Sequence, residues 1–190
     1  MRNLSTYLEN VAFFPIELRD TVNGTVEPDS RKKLGYYHKP GRICPYIWYL
    51  ESGLIRIYTI NEGKETTLFI QDAHEIFISP DSSLDRITPS RMYIQALEDS
   101  AAQRATMQAV DEVIAKDPRF DVHYKRINAR YRREELERQT DLRTLGNKER
   151  FEKLLDTHPS YFKRVPHEIL WEYLGMTKNT FLPIKKEYGL

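Results

Sequence analysis

The period of apolar and polar positions changes partway along the chain. Between residues 46 and 70 the apolar positions come in short blocks of β-formers. Tyr46-Ile47-Trp48-Tyr49-Leu50 is punctuated by Gly53, and Leu54-Ile55-Arg56-Ile57-Tyr58-Thr59-Ile60 follows. A polar turn, Asn61-Glu62-Gly63-Lys64, leads into Thr66-Thr67-Leu68-Phe69-Ile70. Blocks of aromatic and β-branched residues separated by glycine turns predict antiparallel strands, the last two forming a hairpin. Arg91 to Leu97 and Gln103 to Gln108 read as two further strands, and Pro40, Pro45, Pro80 and Pro89 fall near strand edges, where a missing N–H is tolerated. Short strands with no long helix between them predict a sandwich or barrel. Residues 3–33 read as short helices and loops, with Pro15 opening one helix whose apolar side carries Ile16, Leu18 and Val22.

After Gln108 the period becomes helical. Val110, Val113 and Ile114 mark a short amphipathic helix closed by Asp117-Pro118. Arg119 to about Thr140 contains neither Gly nor Pro, and Phe120, Tyr124, Ile127 and Tyr131 recur at spacings of 4, 3 and 4. Such a seam can bury itself against its own β-domain or against the same helix of a second chain. The expectation is a homodimer with these four residues at the interface. Three parts follow: a β-domain over 1–118, a long helix over 119–140, and short helices over 141–190.

The last part carries the most specific pattern. Glu149 to Leu155 predicts one helix, stopped by His158-Pro159. Val165-Pro166 opens another, with Ile169, Leu170, Tyr173 and Leu174 on its inner face. Gly175 then suits a left-handed turn, Met176 plugs the gap, and Thr177 caps a further helix beginning Lys178-Asn179-Thr180-Phe181. Helix, glycine, apolar residue, capping hydroxyl and helix is the helix-turn-helix pattern. The capped end, with free N–H groups and partial positive charge, is suited to a phosphate or a base edge. Thr177, Lys178, Asn179, Thr180, Lys185 and Lys186 are therefore the candidate DNA-binding residues.

Charge adds an asymmetry. The total is +1, but residues 1–117 hold 13 Lys and Arg against 17 Asp and Glu, and residues 118–190 hold 16 against 11. The last 50 residues hold only 9 against 7, so most of the basic excess lies in the long helix rather than in the reading part. The single cysteine, Cys44, excludes an internal disulfide and a four-cysteine iron–sulfur cluster, and its aromatic-rich strand context reads as a buried inert thiol. The five histidines show no metal spacing; His74, His123 and His167 read as surface or core-edge residues rather than haem ligands, and no cofactor is expected. No 18-residue apolar run predicts a membrane helix, and Glu9 and Asn10 interrupt the N-terminal apolar patch, so a cytosolic protein without a membrane partner is expected. No nucleophile elbow, phosphate loop or metal spacing points to an enzyme, and Asp111-Glu112 and Glu134-Glu135 read as solvated helix faces.

The chain resembles a Crp/Fnr-type transcription regulator, most closely the branch common in Bacteroidetes. The resemblance runs from about Leu34 to the end. It rests on Gly41 to Cys44, Tyr46 to Arg56, the Gly63-Lys64-Glu65 turn, Ile94 to Ser100, His158-Pro159, Arg164-Val165-Pro166 and Tyr173-Leu174-Gly175-Met176-Thr177. It implies an α+β chain: a cyclic-nucleotide-binding-like jelly roll, a long dimerisation helix and a C-terminal winged helix-turn-helix that binds duplex DNA.

Two departures qualify it. In the effector pocket that the resemblance implies, Glu75 is placed to serve a ribose, but Ser90 stands where the phosphate arginine is expected. Arg91 is one place later, on the opposite strand face, and Arg86 is the other cationic candidate. Cyclic AMP is therefore not expected as the ligand, and any small-molecule effector is unidentified. In the reading helix, the polar and arginine positions hold Leu182 and Pro183, so guanine readout by a bidentate arginine is lost and a kinked or shortened helix is expected. The sequence thus supports a homodimeric DNA-binding regulator, with an interaction protein of the same fold but no specific DNA binding as the alternative.

Overall fold

The computed structural model describes residues 24–82 and 86–190. The helix expected from Pro15 lies outside them. Eight strands come first: β1 (Glu27–Arg31), β2 (Tyr36–His38), β3 (Tyr46–Ser52), β4 (Leu54–Asn61), β5 (Lys64–Asp72), β6 (Ile76–Phe77), β7 (Met92–Ala96) and β8 (Ser100–Thr106). Six helices follow: α1 (Met107–Lys116), α2 (Arg119–Thr144), α3 (Asn147–Thr157), α4 (Tyr161–Arg164), α5 (His167–Tyr173) and α6 (Lys178–Glu187).

The strands form two antiparallel four-stranded sheets, ordered β1-β8-β3-β6 and β2-β7-β4-β5. The β4–β5 hairpin closes with Asn61 opposite Lys64, and Glu62 and Gly63 both take positive φ. That is the turn type whose twist matches a two-residue hairpin. Farther along, the register slips by one residue, with Ile57 opposite Phe69 and Tyr58 opposite Thr67. Leu68 is the extra residue of this bulge. Between the sheets Trp48 stacks on Phe77 at 5.2 Å, and Tyr37 meets both rings edge-on.

Two cores share one sheet. Ile55, Phe69 and Ala96 belong to the core that contains Trp48 and Phe77. Their neighbours Leu54, Ile70 and Leu97 belong to a second core, built with Phe151, Phe162, Leu170 and Phe181 from the C-terminal helices. Adjacent strand residues point to opposite faces, so β4, β5 and β7 bury both faces near these positions. The helical part is packed onto the β-roll rather than tethered beside it.

The long helix extends to Thr144, four residues past its expected end. The last strand stops at Thr106, whose side chain caps α1, instead of continuing to Gln108. Among the described residues no strand follows α2, so none of them forms the wing that the resemblance implied. Among the described residues no helix is long and apolar enough to cross a membrane.

Candidate nucleic-acid interface and effector pocket

The turn between α5 and α6 is built as its residues dictate. Gly175 sits at φ +65°, where an L side chain is strained, and a Cβ there would meet the Leu142 side chain at 2.6 Å. The Gly175 and Met176 N–H groups donate back to the carbonyls of Glu172 and Trp171. Leu170, Leu174 and Met176 are buried beneath the corner. The Thr177 hydroxyl accepts from the Thr180 N–H at 3.2 Å, the N-cap bond expected of it. Phe181 is fully buried and anchors α6, ringed by Phe151, Phe162 and Trp171.

That anchor determines what α6 shows to solvent. Thr177, Lys178, Asn179, Leu182, Pro183 and Lys186 are exposed, and Thr180 and Lys185 are half-buried. Lys185 differs from its expected role: its Nζ donates to His167 Nε2 of α5 at 2.8 Å, which turns it into the helix corner. Pro183 does not shorten the helix, which runs ten residues to Glu187. The ring removes only the N–H that would reach the Asn179 carbonyl, and both residues are exposed to water.

The four residues assigned to an effector pocket do not converge on one partner. Glu75 is half-buried and faces α2, with Arg130 at 3.9 Å. Burial pushes its carboxyl up to about 7, against the pull of Arg130 and together with the nearby carboxylates of Glu134 and Asp72. Arg86 takes a left-handed conformation, pairs with Asp111 of α1 and lies over the Tyr124 ring. The Ser90 hydroxyl is buried and shares a 2.8 Å hydrogen bond with Ser79. Arg91 is exposed; its backbone N–H donates to Asp81 at 2.8 Å and its carbonyl accepts from the Thr59 hydroxyl at 3.3 Å. A cyclic phosphate would find no guanidinium at Ser90.

The roll does carry hollows. An open groove of about 380 Å³ between β5, β7 and α2 is lined by Leu68, Phe69, Met92, Asn128, Tyr131 and Leu136. A second, more polar cavity of about 230 Å³ lies where β5 and α2 meet the C-terminal helices, with Glu75, Glu134, Arg138, Lys153 and Tyr173 on its walls.

The seam read as a dimer interface is spent inside the subunit. Ile127 and Tyr131 are buried in the β-roll core, Phe120 packs against it, and Tyr124 is half-buried beside Arg86. The Tyr131 hydroxyl donates to Gln71 at 3.0 Å, and the ring meets Phe69 edge-on at 5.0 Å. The sheet beneath offered the nearest apolar surface, and a heptad pattern does not state which surface it faces. On α2, Val122, Ala129 and Leu136 are exposed at successive intervals of seven residues, with Leu136 at the rim of the groove beside β5.

Sequence reasoning missed the side chains that fix the C-terminal helices to the roll. Arg164 of α4 forks onto Glu98 at 2.7 and 2.9 Å, reaches Asp72 at 2.6 Å and donates to the Gly53 carbonyl. The Tyr161 hydroxyl donates to the Ile70 carbonyl at 2.9 Å, and the Glu172 carboxylate accepts the Thr67 N–H at 2.8 Å. No local signal marks these residues, because every partner lies more than sixty positions away along the chain.

No protein-family model matches the chain, and no curated protein matches it in sequence. Solved structures do match in shape. FixK2 from Bradyrhizobium japonicum aligns with a TM-score of 0.75 at 14% identity, covering 86% of this chain and 84% of that one. A transcriptional regulator of the Crp/Fnr family from Eubacterium rectale gives 0.71 at 15%, covering 96% and 86%. The catabolite activator protein of Thermus thermophilus gives 0.59 at 17%, again covering 96% and 86%. The chain has the fold of these Crp/Fnr-type regulators: an antiparallel β-roll, a long helix and a helical C-terminal part.

Proposed function

We propose that this chain is a transcription regulator of the Crp/Fnr type that binds duplex DNA as a homodimer through α6, acts in the cytosol without catalysis, and does not respond to cyclic AMP. The observation that carries the reading is the α5–Gly175–Thr177–α6 corner, with its capped helix and solvent-facing outer side, on a fold shared with such regulators. Exposed Val122, Ala129 and Leu136 on α2 supply a replacement seam for a second copy, one side removed from Ile127 and Tyr131. The Ser90–Ser79 hydrogen bond supports the exclusion of cyclic AMP, since this hydroxyl pair offers the phosphate no charge-assisted fork.

The test is binding of the full chain to a random-sequence duplex across a salt series. The expected result is binding that weakens with salt, and a Lys178→Met plus Lys186→Met variant whose log–log slope is shallower by about 0.9 for each phosphate that is no longer neutralised. Absence of salt-sensitive binding even at low ionic strength would refute DNA binding and leave an interaction protein of the same fold.

A further inference from the structure

The outward face of α6 has an unusual composition. With Phe181 buried beneath the helix, Asn179, Leu182, Pro183 and Lys186 lie at helical offsets of 0, 3, 4 and 7 and form one exposed stripe. Leu182, in the middle of the helix, is 38% exposed. The stripe holds one side-chain amide, two apolar groups and one terminal cation. It holds no arginine and no carboxylate. Lys185, the other cation near it, is drawn away by His167.

Each group matches a particular base edge in a major groove. A side-chain amide presents a donor and an acceptor together, the pattern that pairs with adenine N6 and N7. Apolar carbons pack against the thymine methyl, the only apolar group that the groove displays. Guanine is read by arginine or lysine on O6 and N7, and cytosine N4 by a carboxylate. The centre of this stripe has neither, and Lys186 at its C-terminal end suits a backbone phosphate. Resting on the DNA-binding reading above, we infer that α6 selects A·T pairs at the centre of each half-site, with Asn179 reading an adenine and Leu182 and Pro183 packing against neighbouring thymine methyls.

The experiment is selection by the full chain from a duplex library with a randomised core, repeated with the Asn179→Ala, Leu182→Ala and Pro183→Arg variants. All three positions are exposed, and circular dichroism of each variant checks that the helices persist. The expected result is a core enriched in A·T pairs. Replacing the pair read by Asn179 with G·C should lower affinity about tenfold. Asn179→Ala should abolish the adenine preference at that position while retaining salt-sensitive binding to random duplex. Pro183→Arg should introduce a guanine preference at a single position. Salt-sensitive binding with no enriched core, with a guanine-centred core, or with a core unchanged by Asn179→Ala, would overturn this inference while leaving the proposed function standing. No binding to any duplex would overturn both.

Discussion

Arg164 offers the sharpest test of how the C-terminal helices are held to the roll. Replacing it with methionine keeps the apolar stem and removes the guanidinium, which leaves Asp72 and Glu98 facing each other without a cation between them. Arg164 is 29% exposed, and the two carboxylates are each 32% exposed. An exposed pair contributes about 0.2–1 kcal/mol, and breaking a fully buried one costs about 3–5 kcal/mol. At roughly one-third exposure, discounted for solvent screening, and with a bidentate fork on Glu98, the loss should be about 2 kcal/mol. For a chain of this length that lowers Tm by about 4–8 °C. Urea denaturation of Arg164→Met, Asp72→Asn and the double variant gives the coupling directly. Sub-additive losses with a coupling near 1 kcal/mol are expected. A single-variant loss below about 0.5 kcal/mol, or strictly additive losses, would show that the shared apolar core of Leu54, Ile70 and Leu97 alone holds the helices, and that the ion network is incidental.

Three other outcomes follow. Gly53 sits at φ +97°, and a Cβ there would lie 2.7 Å from Ser100 Cβ and 2.8 Å from the Asp99 carbonyl; Gly53→Ala should cost more than about 3 kcal/mol in urea unfolding, because neither backbone strand can yield locally. The raised Glu75 carboxyl implies a folded state that holds its proton more tightly than the unfolded chain, so its stabilising contribution is complete below the usual carboxylate range and is lost as pH rises toward about 7. Glu75→Gln should therefore raise Tm relative to the parent at pH 8 and change it little at pH 4.5; an equal shift at both pH values would mean that burial beside Arg130, Glu134 and Asp72 does not govern this group. The Cys44 thiol is buried and pushed up to about 11, chiefly by burial, so it should resist alkylation by iodoacetamide in native buffer and react fully in urea, whereas fast native labelling would place it at the surface.

Much of the roll is legible in the sequence because its signals are local. The blocks at 46–50, 54–60 and 66–70 form β3, β4 and β5, and the Glu62-Gly63 turn needs only two residues with positive φ. The helix-turn-helix corner is legible for the same reason: Gly175, Met176 and Thr177 act on their nearest neighbours. β1, β2 and β6 escape because two to five residues carry no readable period. The long-helix seam is apolar as its spacing predicts, but its partner is decided by which surface lies nearest, a tertiary fact. Lys185 illustrates the same limit on the other side of the molecule, since nothing in Ile184-Lys185-Lys186 says that one lysine meets His167 and the other meets water.

The two-faced sheet has a consequence for how the hairpin finds its partner. In most antiparallel pairs a slip by one residue is penalised at once, because apolar side chains move to water and polar ones into the core. Here a slip of β5 would exchange Phe69 and Ile70 between two interiors that both accept apolar groups, so hydrophobicity discriminates poorly between the right and wrong alignments. The choice falls instead on the short turn at Glu62-Gly63 and on the extra residue at Leu68, which together count out the strand. Adding one residue to that turn would leave the chain as oily as before and send each ring to the wrong room.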